Sequence, residues 1–274
     1  MARCKQFKVL SIDFDYFVDA SQSEKWEFPD PNENLGIELN SSLWVTHYAQ
    51  QQLNIKRFGK ETDRLLESIP VNKDAFAQVM KYLKTFKKNK TVTQVVVTNS
   101  HASIFPYLKR KVDKGVPVKI CNLDDHSDFY GIGSDLNCGN WGNLLYNNVE
   151  ERGLLNESEL SWICQEDSIS YSEEKLLYES YSEFLSVCHV SPDKLTERLN
   201  LFFENESPDM IFLCRSSCWV PPHLDFKFLE MTEVLRQYDS QNVVMDKEVM
   251  IPRYTSKFKK SVKQYYDCIS VLGI

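Results

Sequence analysis

The sequence predicts an α/β fold, a three-layer α/β/α arrangement around one mostly parallel sheet. Four short apolar, β-branched runs recur along the chain, and amphipathic helical stretches lie between them. The runs are continuous rather than alternating, as strands buried on both faces require. Strand followed by helix, repeated, implies βαβ units and a sheet covered by helices on either side. Each of the four runs also gives way at its carboxyl end to acidic residues, histidine or serine. Open α/β sheets bind their ligands beyond those ends.

The strand runs are FKVLSIDFDYF (7–17), TVTQVVVTNSH (91–101), VPVKICNLDDHSD (116–128) and PDMIFLCRSS (208–217), with LSWICQED (160–167) as a weaker fifth. Among the helices, KDAFAQVMKYLKTFKK (73–88) puts Phe76, Met80, Leu83 and Phe86 on one stripe and lysines on the other faces. WGNLLYNNVEERG (141–153) ends at a glycine, and SPDKLTERLNLFFE (191–204) opens with a favourable Ser-Pro-Asp start. PPHLDFKFLEMTEVLRQYD (221–239) begins with proline and carries an apolar stripe. Residues 19–60 differ. SQSEKWEFPDPNENLG has two prolines and many polar residues and reads as a long loop insertion, with a helix expected around 37–55. Such loops are often functional. Without internal repeats, the 274 residues are read as a single domain.

Hydrophobic residues at 42% and charged residues at 26% are an ordinary globular composition. No apolar stretch approaches the roughly 20 residues needed to span a bilayer. The segment from Met1 to Val9 is too polar for a signal peptide, so a cytoplasmic protein with no membrane partner is expected. A net charge of −7 disfavours general binding to nucleic acid phosphates and suits a cationic substrate or metal ions. The eight cysteines are read as reduced thiols. Cys121 and Cys214 sit in apolar runs as small core hydrophobes.

The strand-end residues carry the chemistry. Side chains two apart in an extended chain point the same way, so Asp124, His126 and Asp128 are expected to converge while Asp125 and Ser127 turn elsewhere. Asp13 and Asp15 repeat that spacing, and His101 follows the second run. Four carboxylates so close repel strongly unless something positive lies among them. A pair of divalent cations resolves the repulsion, and an oxygen-rich set with two imidazoles favours Mn²⁺.

These segments resemble a known family. NLDDHSD is similar to the D-x-H-x-D strand of the ureohydrolases, the arginase and agmatinase superfamily; SIDFDYF resembles their S-x-D-x-D strand, and TNSHAS the segment supplying their first metal histidine. In the better-known arginases the S-x-D-x-D strand comes late, whereas here it comes first. That order, with LCRSSCWVPP (213–222), resembles the atypical arginase-like branch containing the peptide arginases, which convert arginine side chains in ribosomally made peptides to ornithine. The resemblance implies an arginase-like fold with rearranged strand order, and two Mn²⁺ per chain. One ion would be held by His101, Asp124, Asp128 and Asp13, the other by His126, Asp124, Asp13 and Asp15. It also implies an arginine-containing precursor peptide as partner and release of urea, with Asp128 as a catalytic residue accepting a hydrogen bond from the attacking hydroxide. A small-molecule ureohydrolase acting on agmatine or free arginine would have the same metal site.

The chain departs from the arginase pattern at GNWG, where Trp141 stands in place of the proton-shuttling histidine, and it has no clear equivalent of the guanidinium-gripping glutamate. His223 and His47 are candidate proton donors. Trp141, able to stack on a guanidinium, is a candidate substrate-binding residue together with Asn140 and Ser216. Trp26, Glu27 and Phe28 are candidates for lining a peptide's approach. Two further readings compete. A deacetylase-like amide hydrolase usually has a His-His dyad, which the sequence lacks. A structural zinc site would use Cys188, His189, Cys214 and Cys218.

Overall fold

Seven apolar segments become strands: Phe7–Asp13 (β1), Gln94–Thr98 (β2), Val118–Leu123 (β3), Glu159–Cys164 (β4), Leu185–His189 (β5), Met210–Cys214 (β6) and Asn242–Met245 (β7). They pair in parallel as one sheet of order β5-β4-β3-β1-β6-β2-β7. The computed structural model describes residues 5–25, 28–29, 37–58, 65–86, 92–130, 135–165, 168–169, 171–238 and 242–272. The helices are Gln22–Lys25 (α1), Ile37–Phe58 (α2), Lys73–Phe86 (α3), Phe105–Val112 (α4), Trp141–Glu151 (α5), Tyr171–Tyr181 (α6), Leu195–Phe202 (α7), Asp225–Arg236 (α8) and Ser256–Leu272 (α9).

Alternation along the strands builds the three expected layers. Leu10, Ile12, Val95, Val97, Ile211 and Leu213 face one core, shared with Trp44 and Tyr48 of α2 and with α3, α7 and α8. Val9, Val96, Ile120, Trp162 and Phe212 face the other, closed by Leu108 of α4 and Leu145 of α5. Every residue of β1 is buried, which suits its central place. β5 and β7 are the edges; β5 is only partly buried and β7 is largely exposed, which is why their pattern does not stand out in the sequence.

Several expected boundaries shift. β1 stops at Asp13 and turns into a 3-10 helix over Phe14–Phe17; β3 stops at Leu123, short of the aspartate-histidine run. The helix expected around 37–55 is present as the 22-residue α2, three residues longer and anchored by buried Trp44 and Tyr48. The side chain of Phe86 lies outside the described residues. Among the described residues no helix is long and apolar enough to cross a membrane.

The chain leaving β1 runs to β2 on one side of the sheet, and the chain leaving β3 runs to β4 on the other. The carboxyl ends of β1 and β3 therefore border a crevice at a topological switch, the position where such sheets take ligands.

Candidate metal centre

Four strand ends deliver side chains to this crevice. Asp13 is the last residue of β1, and its Oδ1 accepts from the Asp15 backbone N–H at 3.2 Å, curling the chain so that both carboxylates face inward. Asp124 follows β3, and its Oδ1 accepts from the His126 backbone N–H at 2.9 Å. The chain here is bent rather than extended. Asp128 reaches the cluster through a left-handed backbone (φ 58°), not by strand alternation. Ser216, just past β6, is also left-handed (φ 47°) and donates its hydroxyl to Asp13 Oδ2. Strained backbone of this kind persists where surrounding structure enforces it.

The centre of the cluster is His101 Nδ1. It lies 3.2 Å from Asp13 Oδ2, 3.0 Å from Asp124 Oδ2 and 2.9 Å from Asp128 Oδ2. Yet none of these oxygens is aligned for a hydrogen bond from it, although the nitrogen is fully buried. The other ring nitrogen, Nε2, pairs with Ser11 Oγ at 2.8 Å. A nitrogen left without a directed partner and ringed by three carboxylate oxygens fits a cation among them, since ligating histidines commonly anchor their second nitrogen in this way. Asp13, His101 and Asp124 offer ligand atoms within 4.8 Å of one another, and so do Asp15, Asp124 and His126. The two groups share Asp124. In the second, His126 Nδ1 lies 2.9 Å from Asp15 Oδ2.

The electrostatics agree. Burial, reinforced by neighbouring carboxylates, holds Asp13 and Asp124 well above the ordinary carboxylate range; burial also raises Asp128, against the opposing pull of His101. Burial works against protonation of His101 and His126, but the carboxylates around them prevail: His101 is raised well above its usual value, and His126 to about 10. Asp15 goes the other way. Burial would raise it, but its hydrogen bond to His126, with the charges of His126 and Lys25, lowers it. Buried negative charge so concentrated is stable only when protons or cations share it. The residues therefore fit a buried metal-binding site.

Comparisons with protein-family models, curated proteins and solved structures found no match.

Several residues position the cluster. Trp141, at the start of α5, is fully buried; its indole N–H donates to Asp128 Oδ2, and its ring lies 5.1 Å from that of His101. It thus braces Asp128 and offers no open face for a substrate to stack on. Its neighbour Gly142 donates its N–H to the Asp128 carbonyl at 3.0 Å, and a Cβ there would fall 2.6 Å from the Phe129 ring. Ser216 acts on Asp13. Asn140 is occupied by the loop before α5, accepting from Asn137 N–H at 2.8 Å and donating to the Asp135 carbonyl at 2.9 Å.

The structure does not bring His223 into the cluster's hydrogen bonding. Nδ1 pairs with the Tyr48 hydroxyl at 2.6 Å and Nε2 with the Ile69 carbonyl at 2.7 Å, so both ring nitrogens have protein partners. Burial lowers its pKa. It ties α2 to the loop before α3. His47 is half-buried on α2. Phe28 is buried, 5.2 Å from Trp44, and does not line an approach; Trp26 and Glu27 lie outside the described residues. The zinc reading fails on distance. Cys188 and His189 are on β5, four strand spacings from Cys214 on β6, or roughly 19 Å. No disulfide joins the seven described cysteines.

Sequence reasoning missed three features. Lys25 donates to Asp125 Oδ1 at 2.6 Å in a buried ion pair that Ser168 joins at 2.8 Å, placing a cation under the Asp15 side of the site. Arg215, lowered to about 10 by burial, clamps Asn99 at 2.8 Å and the carbonyls of Val249 and Ile251, while Arg253 grips Asp225 and the Val220 carbonyl. Residues 248–253 therefore lock the loop that carries Ser216. Finally, the His126 side chain is 23% exposed while the other five side chains of the cluster are at most 5% exposed, and the half-buried Trp219 ring lies 4.5 Å from it. The crevice opens there.

Proposed function

We propose that the protein is a dinuclear manganese hydrolase that converts arginine side chains of a ribosomally made peptide to ornithine, releasing urea. The observation that carries this reading is the shared cluster of Asp13, His101, Asp124 and Asp128 with Asp15 and His126. Asp13, His101, Asp124 and Asp128 would hold one ion, and Asp15, His126, Asp13 and Asp124 the other. Bound there, the ions would lower the pKa of water enough to supply a nucleophile near neutral pH.

The chain's own residues do the rest. His126 marks the open side, so the guanidinium approaches past Trp219, whose ring face attracts a planar cation. Asp128 would accept the proton of the attacking water and return it to the leaving amine as the C–N bond breaks. Burial raises its carboxylate, which suits a group that holds a proton briefly, while the Trp141 N–H fixes the direction of one carboxylate oxygen. His126, and to a lesser extent the Lys25 paired with Asp125, keep Asp15 ionised against burial. The carboxylate field, on a chain of net charge −7, favours a cationic side chain over a neutral one. The choice of a peptide rests on the sequence resemblance.

The test is incubation with arginine-containing peptides, free arginine and agmatine, with and without Mn²⁺, read by mass spectrometry. Loss of one CH2N2 unit per arginine in the peptide, dependent on Mn²⁺ and absent in Asp15→Ala, supports the proposal. Turnover of free arginine or agmatine alone would move the reading to a small-molecule ureohydrolase. No loss from any substrate with metal bound would reject the hydrolysis.

A further inference from the structure

We propose that the groove between α3 and α8 docks an acidic peptide segment carrying apolar side chains. The groove has a volume of about 520 Å³, and four lysines line it against a single carboxylate, Glu230. Its floor includes Phe76, Ala77 and Met80. Lys227 is already paired with Glu230 at 2.6 Å and lies 5.1 Å from the Phe76 ring centre. Lys73, Lys81 and Lys84 stand exposed along the other rim, and among the described residues no ion pair engages them. On a chain of net charge −7 this is a local reversal of sign, so the surface selects an anionic partner.

The dimensions fit an extended peptide. From Lys73 to Lys84 the helix rises about 16 Å, the length of about five extended residues. Such a segment alternates its side chains, which lets apolar ones enter the floor while acidic ones meet the lysines. Nucleic acid is disfavoured because Phe76 is buried, with no open ring face for base stacking. A bilayer is disfavoured because the apolar surface is recessed between helices rather than projecting.

The upper end of the groove adjoins the metal-site turn. Val71 bridges to Val18, and Asn72 N–H donates to the Phe17 carbonyl at 2.7 Å, two residues beyond Asp15. A peptide docked here could extend towards the crevice. That link to turnover rests on the proposed reaction, so binding is measured separately from activity.

The experiment is fluorescence anisotropy on the purified protein with a labelled decapeptide of alternating Glu and Leu. Its Lys-Leu counterpart, a single-stranded RNA decamer and phosphatidylserine vesicles serve as competitors. The expected result is binding of the Glu-Leu peptide, weakened at least about tenfold in Lys81→Glu/Lys84→Glu by lost and reversed charge pairs. Ala77→Trp, which fills the groove from an exposed position, should weaken it similarly. Thermal melting confirms that both variants are folded. Failure of the wild type to bind would overturn the proposal, as would unchanged affinity in either variant. It is also overturned if RNA or vesicles bind as tightly, depending on the lysines but not on Ala77.

Discussion

Replacing Trp141 by Phe removes one hydrogen bond and part of a buried ring. The indole N–H is the donor to Asp128 Oδ2, and the side chain is fully buried with its ring 5.1 Å from that of His101. A phenyl ring keeps the apolar contact but leaves the carboxylate oxygen without its brace. A hydrogen bond to a charged group contributes about 1.5–3 kcal/mol. Loss of such outer contacts typically lowers metal affinity by about 10–100-fold. The smaller ring also leaves a void, for which about 1–2 kcal/mol of stability is expected to be lost. For a domain of this size that corresponds to a melting temperature about 2–8 °C lower. The assays are Mn²⁺ titration by isothermal calorimetry and differential scanning fluorimetry of the metal-free protein. The account predicts a large loss of metal affinity beside a small loss of stability. Unchanged Mn²⁺ affinity in a folded Trp141→Phe protein would refute the idea that this residue positions Asp128.

Three further outcomes follow from the same geometry. Because His101 and His126 are raised above their ordinary values in the metal-free protein, both carry protons at neutral pH that a cation must displace. Metal affinity should therefore rise with pH and fall as pH drops, with proton release measurable by calorimetry in buffers of different ionisation enthalpy; pH-independent binding would contradict this. Trp219→Leu should raise KM for a guanidinium substrate by about 3–30-fold through loss of the cation–π contact, with metal affinity unchanged. Lys25→Met strands the buried Asp125 carboxylate and should lower stability by about 3–5 kcal/mol in urea titration; a loss under about 1 kcal/mol would mean that Asp125 finds another partner or a proton.

The residues of the buried aspartate-histidine cluster were legible because each lies within a few residues of an apolar strand, and the sheet alone brings strand ends together. Their local geometry was not. Alternation cannot place Asp128, since the strand ends at Leu123 and a left-handed residue turns the chain. Bracing residues were hidden for a different reason. Trp141 reads as a core residue opening a helix, and its hydrogen bond depends on how closely α5 approaches at Gly142. Lys25 and Asp125 are 100 residues apart, and nothing local in either segment signals the pair. The helix expected around 37–55 is α2, but its sequence does not show what holds it: Trp44 and Tyr48, whose polar atoms find partners in the Ser217 carbonyl and His223. Edge strands β5 and β7 lack the continuous burial that exposes central strands to a pattern search.

In the proposed site Asp124 would stand between two cations. Metal content by plasma mass spectrometry, measured on wild type and Asp124→Ala after Mn²⁺ loading and removal of excess ion, checks that placement. Two ions are expected per wild-type chain, with both lost from the variant. A wild type that retains none, or a folded variant that keeps both, would contradict it.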